Sequence, residues 1–222
     1  VSENRNGVTW MQYVIDEWRQ VSRSEQIAEA IWYRIFSGHF QEGERLNELQ
    51  LMHEYEADEE MMSEALYLLQ QSGVVTRATK KGVFVREVVL EEMNDYLEVF
   101  VWFTEASFDR AIVKWESSHQ LVLYEYFEKM ADYLRYGDMF RYVRAFTAMA
   151  ELIVELGGNV AAKRFFQQTT FLTNAVAQIM WKPEKLGPYH DRVRQFVQLM
   201  ASRQYEEAKH VLLSTLRTSF SL

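Results

Sequence analysis

The chain has 222 residues, 48% hydrophobic and 25% charged, a composition that fits a folded globular protein and excludes a disordered one. Two prolines and nine glycines argue against collagenous, linker-like and turn-rich all-β chains, and the lack of cysteine excludes disulfide scaffolds, thiolate metal sites and cysteine nucleophiles. The net charge of −8 argues against blanket affinity for nucleic acid, and it is concentrated: residues 42–64 hold nine acids against Arg45, so the other 199 residues sum to zero.

Helical periodicity dominates. Trp10, Val14 and Trp18 form a stripe that predicts a short helix near 9–19. Ser22 or Ser24 is placed to cap a second helix over 24–37, with Ile27, Ile31 and Ile35 on one face and Gly38 as its stop. A loop with two glycines leads to a short helix near 47–56. Asp58 is an N-cap for a helix over 59–72 that Gly73 closes. VVTR and VFVR, separated by ATKKG, predict a β-hairpin with a basic tip over 74–86. Beyond Val88 the chain reads as helix over 89–115, 118–136, 138–156, 159–180, 185–202 and 204–219, with breaks at Gly137, at Gly157-Gly158-Asn159 and from Lys182-Pro183 through Gly187-Pro188. The expected fold is mainly α: a unit of three or four helices with a two-stranded wing over 1–87, then an antiparallel helical bundle over 88–222.

No apolar run approaches 18 residues and the N-terminus has no signal-peptide pattern, so neither a membrane span nor export is expected, and the expected location is the cytoplasm. Catalysis is not expected either: there is no G-x-S-x-G elbow, no phosphate-cradling glycine loop and no metal triad.

The segment from Ile27 to Val85 resembles the DNA-binding domain of the GntR family of bacterial regulators. Ser37-Gly38, Gly43-Glu44-Arg45-Leu46-Asn47-Glu48, Glu64-Ala65-Leu66, Leu69, Gly73-Val74-Val75 and Gly82 match that family's pattern in order and spacing. FTAMAELIVELGGN in the helical half is similar to the pattern of the FadR-type subfamily. The resemblance implies a winged helix-turn-helix joined to an effector-binding and dimerisation domain. Its partners would be double-stranded DNA, a small-molecule effector and a second copy of the chain.

Two departures stand out. The family's arginines in the recognition helix align with Glu59 and Ser63, so the positions facing DNA are Asp58, Glu59, Glu60 and Ser63, and cations come from Arg45 and from Arg77, Lys80 and Lys81 around Gly82. Acids repel the phosphates that supply most affinity, although they accept a hydrogen bond from cytosine N4. In the helical half, the metal ligands and carboxylate-binding arginine of FadR-type domains align with Val143, Thr147, His190 and Thr215, and with Val101. One imidazole holds no divalent ion. Neither metal nor cofactor is therefore expected, and the effector site becomes an apolar chamber with two hydroxyls and one imidazole, near Trp102, Phe103, Phe146 and Phe166. It would suit an acyl or aromatic ligand; the other reading of these positions is a plain packed core with no pocket. The alternative is a degenerate relative that keeps the fold and dimer but does not bind operator DNA, and acts as a sensor or as a partner for another protein through its acidic 42–64 surface.

Overall fold

The computed structural model describes residues 22–78, 81–87, 90–167, 169 and 183–219, so the helix expected near 9–19 and Lys80 lie outside the described residues. The N-terminal unit consists of α1 (Arg23–Phe36), β1 (Arg45–Leu46), α2 (Glu48–Glu54), α3 (Glu59–Gln71), β2 (Val75–Ala78) and β3 (Gly82–Val85). Its helix ends follow local chemistry. Ser22 caps α1 in a capping box with Glu25, Asn47 caps α2, and Asp58 Oδ1 accepts a hydrogen bond from the Met61 N–H at 2.8 Å to start α3. Ser24, the other candidate cap, is buried inside α1.

The wing has three strands, not two. Arg45 and Leu46 pair with Phe84 and Val83, which places β3 between β1 and β2. Two residues give no alternation to read, and their partner lies almost forty positions away. Ile27, Ile31, Leu46, Leu51, Met62, Leu66, Leu69, Val75, Val83 and Val85 form one apolar cluster, which also takes in Leu97 and Phe140 from the helical half.

The second half comprises α4 (Leu90–Ile112), α5 (Ser117–Tyr136), α6 (Met139–Gly157), a helical stretch over 160–167, α7 (Pro183–Ala201) and α8 (Tyr205–Ser219). Helix α4 packs on α6, α6 on α5, α5 on α7, α7 on α8, and α8 back on α4, closing a ring. Gly137, at φ 70°, lets α5 turn directly into α6, whose N-cap is Asp138. Gly157 serves a different purpose. A Cβ there would stand 2.9 Å from the Ser107 backbone oxygen, so the α4–α6 crossing depends on its absence.

The break expected through Gly187-Pro188 is not there: α7 begins at Pro183 and carries Pro188 inside it. Proline suits the first helical position, and the one hydrogen bond lost at Pro188 is outweighed by a face that buries Leu186, Tyr189, His190 and Val193.

Helix α6 is buried almost all round and belongs to both apolar clusters. Phe140 sits edge-on to Trp32, Tyr33 and Phe36 of α1, with centroids 5.8, 5.5 and 5.3 Å away. One turn later, Arg144 lies against the Trp32 ring and pairs with Glu29 at 2.5 Å.

Candidate nucleic-acid interface and interior site

Helix α3 packs Met62, Ala65, Leu66 and Leu69 inward, which leaves Glu59, Glu60, Ser63, Glu64 and Tyr67 on its exposed face. This side is acidic, with one aromatic. Asp58 is exposed as well, but one of its oxygens is held by the cap. Glu56, between α2 and α3, adopts φ 50°, a left-handed conformation that a side chain tolerates poorly.

The wing brings its cations together. Arg77 on β2 pairs with Val83, Ala78 pairs with Gly82, and Lys81 stands in the turn immediately before β3. Arg77 and Lys81 are exposed. Arg45 crosses from β1 onto the wing turn: Gly82 has φ 106°, and a Cβ there would meet Arg45 Nε at 3.0 Å. Gly82 thus supplies both a backbone conformation closed to other residues and the space for the guanidinium. Three cationic side chains, from β1, from β2 and from the turn that enters β3, are gathered by one small sheet, while the helix beside it carries only negative charge.

In the ring, Val101 stands on α4, Val143 and Thr147 on α6, His190 on α7 and Thr215 on α8. Four of the five are buried and Thr147 is half-buried. Trp102, expected nearby, points outward at 58% exposure, because the apolar stripe of α4 runs through Leu97, Phe100, Val101, Thr104 and Phe108 instead.

The polar groups of this set find partners within the protein. Thr147 Oγ1 donates to the Val143 carbonyl at 3.0 Å and Thr215 Oγ1 to the Val211 carbonyl at 2.7 Å. His190 Nδ1 lies 3.3 Å from the Tyr142 hydroxyl, and its ring stacks on Phe127 at 4.8 Å. Burial, helped by the positive charge of Arg194, holds the imidazole below its usual pKa, against the pull of Asp191 and Glu128. Among the described residues no three His, Asp or Glu side chains are grouped closely enough to hold a metal ion, and no helix is long and apolar enough to cross a membrane.

Sequence reasoning missed a residue here. Glu151 on α6 is buried, with its carboxyl pushed up to about 7, chiefly by desolvation and then by Glu155, against Lys163 and a hydrogen bond with Gln167. The signal was its place in FTAMAELIVELGGN, four residues beyond Thr147 and so on the same stripe.

Comparison with known proteins agrees with this architecture. Residues 23–85 match the model of the bacterial regulatory proteins, gntR family. No curated protein matches the sequence significantly. A putative transcriptional regulator GntR from Rhodococcus sp. RHA1 superimposes with a TM-score of 0.70 at 18% identity, over 90% of this chain and 96% of that one. McbR/YncC of E. coli gives 0.70 at 15% identity, over 90% and 95%. Lar of Listeria monocytogenes, described as controlling the agr system and mediating virulence, gives 0.56 at 16% identity, over 91% and 96%. Residues 23–85 are a winged helix-turn-helix domain of the gntR family, carried on a chain with the fold of GntR-type regulators.

Proposed function

We propose that the protein is a cytoplasmic DNA-binding transcriptional regulator, with a winged helix-turn-helix domain over 1–87 and an effector-binding, dimerisation domain over 88–222. The observation that carries this reading is the gntR-family domain with Arg45, Arg77 and Lys81 gathered on its wing around Gly82. The wing enters a groove and its cations meet phosphate, while Glu59, Glu60 and Ser63 of α3 face bases at a cost in affinity. Two copies pair through the helical domains, where Trp102, Leu121 and Tyr124 are exposed. The effector enters the helical ring between Val101, Val143, Thr147, His190 and Thr215 and works without a metal.

The test is DNA binding against salt, with random genomic fragments as competitor. Glu59→Arg with Ser63→Arg adds two cations and steepens the salt dependence by up to about two units, since each phosphate contact contributes roughly 0.9. Lys80→Ala with Lys81→Ala weakens binding. Sedimentation as a dimer at micromolar concentration checks the assembly.

A second reading has its own observation: the exposed face of α3 holds Glu59, Glu60, Glu64 and Tyr67 and no cation. Such a face suits a basic protein partner. A folded double-arginine variant that gains no affinity for any duplex selects this reading over the first.

A further inference from the structure

The imidazole and both hydroxyls assigned to the interior site are engaged inside the protein, whereas Glu151 is not fully provided for. It is 2% exposed, and its Oε1 has no hydrogen-bond partner among the described residues. Tyr126 of α5 is 1% exposed, and its hydroxyl also has none. Buried polar atoms in native proteins are seldom left in this state, and two close together mark a place where something else belongs.

The helices bring the two groups to one level. α5 and α6 run antiparallel about Gly137, and Tyr126 and Glu151 stand 11 and 14 residues from that turn, within one helical turn of the same height. Glu151 also lies four and eight residues beyond Thr147 and Val143, so the three share one stripe of α6. The charges around it are unequal. Glu155 is paired with Lys163 at 2.5 Å, so the cation that acts on Glu151 is already engaged by a second carboxylate. Only partly compensated by Lys163 and Gln167, a carboxylate inside an apolar bundle is costly, and the raised pKa of the group reports that cost.

We propose that Glu151 and Tyr126 form the polar end of the interior site, and that its ligand carries a primary ammonium group on an apolar body. The assignment rests on the effector site proposed above and names its ligand class. An ammonium brings a second positive charge, which two carboxylates sharing Lys163 call for, and three donors, enough to reach Glu151 Oε1 and the Tyr126 oxygen. An acyl carboxylate would add a further negative charge beside Glu151, and an alcohol would leave the charge balance as it is. The body of the ligand extends along α6 towards Thr147 and Val143.

The probes are n-alkylamines from propyl to octyl, with the alcohols and carboxylates of equal length. They are titrated into the full chain without DNA and followed by thermal shift and calorimetry. At least one amine raises Tm and binds more tightly than its alcohol and carboxylate counterparts. Glu151→Gln, checked for native circular dichroism, weakens that amine about 30-fold or more, the effect of removing one member of a buried charge pair. Tyr126→Phe weakens it several-fold. Should the glutamine variant not fold, Glu151→Asp, which keeps the charge but draws it back, reports the same loss. The proposal falls if no amine binds, if the carboxylate or alcohol binds equally well, or if amine binding survives the change at Glu151. Because DNA is absent from the assay, any of these outcomes leaves operator binding to be decided by the salt titration alone.

Discussion

In the N-terminal cluster the buried polar residues among those described are Ser24 and Ser72, two small hydroxyls, whereas the helical half buries Arg144, Glu151 and His190 along with Thr104, Ser107, Thr169 and Thr215. All nine acids of the 42–64 stretch are at least partly exposed. One region therefore keeps a plain apolar interior and carries its chemistry outside. The other places ionisable groups inside, where desolvation multiplies their effect. A surface of fixed charges suits contact with a large partner. An interior with unbalanced charge suits a small one.

The contrast can be broken most forcefully where the regions meet. Phe140→Ala removes an aromatic ring packed on three others and is expected to cost about 3–4 kcal/mol in urea denaturation. It should also split one transition into two as the clusters uncouple; a loss below about 1 kcal/mol would mean that they are not mechanically joined.

A somewhat smaller effect comes from the buried acid. The Glu151 pKa rises from 4.5 to about 7 on folding, so its contribution is complete below 4.5 and disappears as pH rises through 7. Across that window it amounts to about 3 kcal/mol, and Glu151→Gln should abolish this slope. His190 has the opposite sign. Its pKa is lowered on folding from 6.5, so its contribution is present above 6.5 and is lost as acid takes the pH down through the folded value. In the glutamine variant this acid-side fall should stand alone in the stability–pH profile.

Two backbone positions sharpen the comparison further. Gly157→Ala forces a Cβ against the Ser107 backbone and should destabilise the ring by about 2 kcal/mol, read from Tm. In the N-terminal unit, Glu56→Gly relieves a left-handed side-chain residue and should stabilise by about 0.5 kcal/mol, after the entropy that glycine gains in the unfolded chain is subtracted.

What was legible in the sequence was local. Caps at Ser22 and Asp58 and the stops at Gly38, Gly73 and Gly137 are settled by side chains and conformations within a few residues, so the helices appear close to where they were expected. What required the tertiary structure was not. β1 exists because residues 83–84 come to meet it. Pro188 is tolerated because its helix is anchored by packing beyond the first turn. Glu151 reads as an ordinary polar position on an amphipathic helix, and only the burial of α6 on nearly every side turns it into an interior charge. The basic wing was visible as a charged hairpin tip, but not the way Arg45 reaches across Gly82 to join it.

Because α6 belongs to both clusters, cutting the chain after residue 87 would not release a self-contained unit. Leu97 and Phe140 would stay with the other piece, and the face of α1 around Trp32, Tyr33 and Phe36 would meet water. An excised N-terminal fragment should therefore be sticky, self-associating through that uncovered aromatic patch at concentrations where the full chain does not. Substituting the patch with polar residues would be the way to obtain it as a well-behaved fragment.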